Sequence, residues 1–371
     1  TRWHITSQDL DEELAAIPGE EVLVAIMDTS PNPDRVLSAA TRLDFRHNDL
    51  LWQMANDLRH ENGSFAIEYD RYPLTDDIMT GRDLKYEPRY YRMPDHGLFV
   101  AGLVRDIAPN VRIRLVRVLN DFGGGDLYTL YAALSDLERE LVAGSIDKLV
   151  LNFSLTIMPD IRRLPFIWLE DRQWHSTLLP GVQRVLSHIE DGLRLLFECL
   201  ADYGVLIVAA AGNDSVLANK QGKQPRPPRA PARYASTLAV AAVNSDFSPA
   251  LFANAANIVP EDSGVATLGG DLYGSTDANG LPDAVRGLYI SSMFPGGEQN
   301  MQGWADWSGS SFSTAIISGL GAQLLSRGWS VSQVRARFSA TEYRAGRLFG
   351  GSPAVPRLLA NVVRVRQRFG R

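Results

Sequence analysis

The sequence predicts an α/β fold, a three-layer, doubly wound, mostly parallel sheet with helices on both faces. Three observations point there. Several short, continuous apolar runs have strand length and lack polar alternation, which suits strands covered on both faces. Segments with helical periodicity lie between them, and strict alternation of the two is the pattern of parallel α/β sheets. The chain has 371 residues, 45% hydrophobic and 22% charged, which is ample for one sizeable core.

The first strand is "EVLVAIMD" (21–28), an apolar run that ends in a carboxylate. Next comes a helical stretch, "GLFVAGLV" (97–104), and a second strand, "VRIRLVRVL" (111–119). The helix "LYTLYAALSDLERELVAG" (127–144) leads to the strand "KLVLNFSL" (148–155), and the long amphipathic "GVQRVLSHIEDGLRLLFECLADYG" (181–204) leads to "GVLIVAAAGND" (204–214). "STLAVAAVN" (236–244) is a further strand, and three helices follow at 311–328, 331–340 and 355–369. Residues 30–95, 156–180 and 215–233 read as loops or insertions, the last because "KQGKQPRPPRAP" is rich in proline, and 262–300 is Gly-rich with little periodicity. The expected organisation is one catalytic domain, 21–371, with insertions near 30–95, 156–180 and 262–300, and an N-terminal extension, 1–20, packed on it.

Composition narrows the function. With 37 basic and 43 acidic side chains the net charge is −6, which gives no electrostatic reason to expect a nucleic-acid partner. The tail "RVRQRFGR" reads as a solvated helix end. The one cysteine, Cys199, lies in a segment of helical apolar spacing and reads as a buried, inert thiol, so no disulfide forms within the chain. No apolar run approaches the roughly 18 to 20 residues that span a membrane. Thr1 stands where a start methionine would, so a processed or trimmed chain is expected.

In open α/β sheets, ligands gather outside the carboxyl ends of the strands. Asp28 closes the first strand there; taken alone, an Asp after a strand is more often a turn residue or helix cap. His96, in "PDHGLFVAG", opens a helix, and Gly97 beside it permits close approach by another group. The other histidines, His4, His47, His60, His175 and His188, have no metal-ligand spacing, and no metal site is expected from them. Asn213 closes "VLIVAAAGND" as either a turn residue or an amide donor. A serine hydroxyl is a poor nucleophile without a base. The base needs a carboxylate to fix its tautomer, and the oxyanion that forms needs donors. Asp28, His96, Asn213 and Ser311 supply those residue types at strand ends or helix starts.

At these residues the sequence resembles the subtilisin-like serine proteases, the subtilases. "VAIMDTS" resembles the family's aspartate motif at Asp28, "HGLFVAG" its histidine motif at His96, "AAAGND" its oxyanion asparagine at Asn213, and "GSSFSTA" its serine motif at Ser311. The order Asp, His, Ser is that of subtilisin. The resemblance spans roughly 20–345, including "WSVSQVRARF" as a late helix. It implies a serine endopeptidase acting through an acyl-enzyme, with Asp28, His96 and Ser311 as triad and Asn213 as oxyanion donor. It also implies that Ser154, Leu155 and Thr156, with Ala211, Gly212 and Asp214, line the substrate cleft, the first three by strand pairing. An Asp214 near the first specificity pocket would favour a basic or polar side chain; a solvent-facing Asp in a turn explains the residue equally well.

The sequence departs from the family pattern in places. Ser30 replaces a glycine, Leu98 and Phe99 alter the histidine motif, Thr156 stands for a glycine in the cleft, and Ala315 for the proline of the serine motif. Thr156 is expected to narrow the cleft. Ala315 restores an N–H where proline has none and frees φ, which bears on the aim of Ser311. Only "RDIAPNVR" separates the histidine helix from the next strand, so the family's usual calcium loop is not expected there. The chemistry needs no cofactor, and a structural calcium elsewhere is left open. Protein or peptide substrates are implied, with a propeptide inhibitor before residue 1 and secretion; a cytoplasmic chain is the alternative. Two other functions stay open: a catalytically impaired subtilase fold that binds peptides, and a peptide ligase or cyclase.

Overall fold

The computed structural model describes residues 2–3, 20–57, 67–71, 92–157, 179–244, 248–256, 264–276, 280 and 282–339. Its centre is a seven-stranded sheet in which all neighbours pair parallel, in the order β3-β4-β2-β5-β6-β7-β8. The strands are β2 (Leu23–Asp28), β3 (Ile67–Arg71), β4 (Arg112–Arg117), β5 (Leu149–Phe153), β6 (Leu206–Ala210), β7 (Thr237–Val243) and β8 (Val265–Leu268). Every residue of β2, β5, β6 and β7 is buried, as continuous apolar runs require. A smaller sheet joins β1 (Arg2–Trp3), β10 (Pro282–Leu288) and β11 (Trp304–Trp307), with β9 (Asp271–Thr276) also pairing β10.

The sheet order locates the site. From β2 the chain goes to the edge strand β3 and returns to β4 beside β2 on one side, then crosses to β5 and continues through β8 on the other. The strand order therefore reverses at β2. In such sheets a crevice opens outside the carboxyl ends of the strands at that point. Asp28 is the last residue of β2.

The helices are α1 (Pro33–Ala40), α2 (Asp49–Asp57), α3 (His96–Ile107), α4 (Leu127–Val142), α5 (Leu179–Asp202), α6 (Val216–Lys220), α7 (Ser310–Ser326) and α8 (Val331–Ser339). Local chemistry sets several starts. Asn32 accepts from the Asp34 N–H at 2.9 Å ahead of Pro33, and Asp126 accepts from the Thr129 N–H at 2.9 Å to open α4. α7 is buried along its whole length, which its apolar and small side chains allow. It packs on α3 and on β5, β6, β7 and β8, so its N-terminus is held at the same sheet edge as Asp28.

Several segments differ from the sequence reading. Residues 30–95, read as an insertion, contain α1, α2 and the edge strand β3. Its sequence, "IEYDR", hides a strand because Glu68 is paired by Arg112 and Arg114 of β4. The Gly-rich stretch 262–300 holds β8, β9 and β10, strands of only four to seven residues in which glycine dilutes the pattern. The loop 215–233 contains the short helix α6. Residues 4–19, most of the insertion at 156–180 and the helix read at 355–369 lie outside the described residues.

Candidate active site

Asp28 is fully buried at the end of β2, and its Oδ1 accepts the Thr29 N–H at 2.6 Å. His96, the first residue of α3, is 7% exposed and turns Nδ1 to both carboxylate oxygens, at 2.8 and 2.9 Å. A carboxylate can only accept, so Nδ1 carries the proton in this contact, and in the neutral imidazole the lone pair is then on Nε2. Gly97 makes the approach feasible. A Cβ there would fall 1.9 Å from the Thr29 carbonyl oxygen. The Gly97 N–H also donates to Thr29 Oγ1 at 3.1 Å, and that hydroxyl donates to the carbonyl of Pro94.

Asp95, just before His96, was not singled out in the sequence. It is fully buried and does not cap its own helix. Its Oδ2 accepts from the N–H groups of Ile290 and Ser291, at 3.1 and 2.6 Å, and from Ser291 Oγ at 2.7 Å, while Arg35 lies 3.4 Å from Oδ1. Burial pushes its carboxyl above the usual range; the Ser291 hydroxyl, the Arg35 charge and the two N–H donors pull it back. Nothing within "MPDHG" reveals this role, because the partners lie almost two hundred positions away. An aromatic wall, also unread, surrounds the imidazole: Trp307 meets it edge-on at 5.3 Å and Phe312 at 5.6 Å, with Phe99 behind at 4.4 Å from Phe312.

Ser311 is the second residue of α7 and 8% exposed. Its Oγ donates to the Ser154 carbonyl at 3.0 Å. Among the described residues no hydrogen bond joins it to His96, although Phe312, the next residue, lies against the imidazole. In resting sites such bonds are often long and tighten only around substrate. Ser154 Oγ in turn approaches the Ser311 carbonyl at 2.9 Å and Asn152 Oδ1 at 2.8 Å, and the Asn152 amide donates to Ser318 Oγ at 2.9 Å. This buried polar chain fixes α7 along β5. Asn152 is a further residue that sequence reasoning passed over. Ala315 is fully buried inside α7, and the helix continues through it.

Asn213 follows the end of β6. Its Oδ1 accepts the Ser310 N–H at 3.0 Å, which turns the Nδ2 donors away from that contact. Gly212, at φ +116°, makes the bend; this is left-handed backbone that favours glycine, and a Cβ there would lie 2.5 Å from Asn254 Nδ2. Ala211 is buried, and its carbonyl accepts from the Arg229 N–H at 3.0 Å and from the Asn254 amide at 3.2 Å. Across the gap, Ser154 is buried and Leu155 and Thr156 are half-buried. An isolated antiparallel bridge joins Ile157 to Ala230. The structure therefore gathers Asp28, His96, Ser311 and Asn213 at one sheet edge, with 154–156 and 211–214 flanking them.

Asp214, expected near the first specificity pocket, is engaged within the fold. Its Oδ2 is taken by Arg229 and, at 2.9 Å, by Arg226, and its Oδ1 by Asn254 Nδ2 at 2.5 Å. Burial alone would raise its pKa. The hydrogen bonds from Arg229 and Asn254 and the charges of both arginines outweigh that and hold it below the ordinary aspartate range. Two arginine charges thus face the one carboxylate.

Among the described residues no three His, Cys, Asp or Glu side chains converge as a metal site, and no helix is long and apolar enough to cross a membrane.

The seven-stranded parallel sheet, the strand reversal at Asp28 and the buried helix carrying Ser311 define a subtilisin-like α/β fold. The sequence model of the subtilase family matches residues 19–350. The chain therefore belongs to the subtilase family, a family of serine peptidases. Two of the solved structures that share the fold show its extent. One, described as a lanthipeptide protease, superposes with a TM-score of 0.51 at 16% identity, over 91% of this chain and 85% of its own. The other, the S218A mutant of the protease domain of PatA, gives a TM-score of 0.50 at 19% identity, over 91% of this chain and 94% of its own. No curated protein matches the sequence.

Proposed function

We propose that this chain is a serine endopeptidase that hydrolyses peptide bonds through an acyl-enzyme. The observation that carries the reading is the buried Asp28–His96 pair, with Nδ1 held by the carboxylate and Nε2 left as the base. Ser311 Oγ attacks the scissile carbonyl as His96 Nε2 takes its proton. Asp28 stabilises the imidazolium that forms. The tetrahedral oxyanion is held by Asn213 Nδ2 and by the Ser311 N–H at the start of α7, where the helix dipole also favours negative charge. His96 then returns the proton to the leaving amine, which departs with the downstream peptide. Water, deprotonated by the same imidazole, attacks the ester and restores Ser311. Residues 154–156 and 211–213 provide backbone edges along which an extended substrate can lie.

One observation favours a second reading, a peptide-binding subtilase fold without turnover: Ser311 Oγ donates to Ser154 O and not to His96. A fluorophosphonate probe separates the two. Labelling of the wild-type chain that is absent in Ser311→Ala, with a loss of at least about 10⁴-fold in kcat for peptide cleavage, is the expected result. An unlabelled, folded wild type sinks the hydrolase reading.

A further inference from the structure

We infer that the pocket beside Asn213 selects an acidic side chain, Asp or Glu, on the residue whose carbonyl is attacked, and that Arg229 and Arg226 are the recognition residues. The inference rests on the site assignment proposed above. A carbonyl over Ser311 Oγ with its oxygen toward Asn213 Nδ2 brings the side chain of its own residue toward the space between 154–157 and 211–214. The segment 226–230 lines that space. The Arg229 N–H donates to the Ala211 carbonyl at 3.0 Å, and Ala230 bridges Ile157 on the opposite side. The Arg229 stem runs beneath Gly212, with Cγ 3.2 Å from where a Cβ would stand.

The charge there is unbalanced. Two guanidinium groups converge on the one carboxylate of Asp214, which leaves a surplus of one positive charge. Asn254 occupies the other oxygen of Asp214. Arg226 and Arg229 each spend only part of their guanidinium donors on Asp214, and their side chains are 54% and 32% exposed. A half-desolvated cationic pair with unfilled donors is complementary to a carboxylate and hostile to a second cation. The same pair that engages Asp214 thus inverts the preference.

Matched peptides that differ only in Asp, Asn or Lys at that position test this. For the wild type, kcat/KM for the Asp peptide exceeds that for the Asn peptide by on the order of tenfold, as one charge-assisted hydrogen bond gives. The Lys peptide is poorest, and added salt narrows the gap. Arg229→Gln, and separately the more exposed Arg226→Glu, bring the Asp-to-Asn ratio to one or below; each variant is its own control, so a lowered fraction of folded protein cancels. An Asp-to-Asn ratio near one in the wild type, or a preference that persists in both variants, overturns the inference. Binding of the same peptides to Ser311→Ala, read by fluorescence anisotropy, keeps the two proposals apart. If nothing is cleaved or labelled yet the Asp peptide binds more tightly and loses that advantage in the arginine variants, hydrolysis fails and acidic recognition stands. Equal binding of Asp and Asn peptides, or no binding of either, overturns acidic recognition.

Discussion

Gly97 shows how closely the two halves of the site interlock. The first turn of α3 lies directly on the backbone that leaves β2, and only a hydrogen in place of a side chain permits it. The Gly97→Ala variant must push α3 away from Thr29 and draw His96 off Asp28, because the group it meets is rigid backbone. Overpacking of this kind costs about 1–3 kcal/mol, and a displaced imidazole costs activity as well. The expected outcome is a folded protein with a lowered melting temperature and a loss of about 100-fold or more in kcat/KM. Thermal denaturation together with peptide kinetics checks both parts. Wild-type turnover in Gly97→Ala would mean that α3 can shift without moving the base.

Between elements, Asp95 makes the most specific connection. It joins the start of α3 to the segment that follows β10, through two backbone N–H groups and a hydroxyl, with no water required. Removing the carboxylate in Asp95→Ala leaves the buried Ile290 N–H without its acceptor, at a cost of about 1–3 kcal/mol for such a group, and the half-buried Ser291 N–H loses its acceptor too. Hydrogen exchange should report it locally: protection falls at Ile290 and Ser291 and at the first turn of α3, while the amides of β5, β6 and β7 keep theirs. Unchanged exchange at 290 and 291 would show that another acceptor takes over. The sequence could not disclose this link, since a lone Asp before a helix looks like a cap. Asn152 escaped notice for the same kind of reason: inside an apolar strand it reads as an interruption, and only its bonds to Ser318 and Ser154 explain it.

At the scale of the whole molecule, the parallel core was legible because burial on both faces forces continuous apolar runs, which β2, β6 and β7 have and β5 has but for Asn152. The four residues Asp28, His96, Asn213 and Ser311 were legible because each sits where such a run stops or a helix starts, and the sheet order brings those ends together. What stayed hidden was charge compensated across the fold, as at Glu68 in β3 and at Asp214, where residue type suggests a free carboxylate and packing removes it. Asp214 ties the end of β6 to 226–229 and to Asn254, so its ionisation is coupled to global stability. Its folded pKa is depressed, so its contribution is present above the ordinary aspartate value, about 4, and is lost as pH falls through the lower folded value. Asp214→Asn, which cannot gain that contribution, is therefore expected to be less stable than wild type near pH 7, with the difference shrinking steadily below about pH 4. Denaturant titrations at a series of pH values measure it. A gap that stays constant into acid would mean that the loss came from packing or hydrogen-bond geometry, and that the carboxylate's charge contributes nothing to holding this corner of the sheet edge.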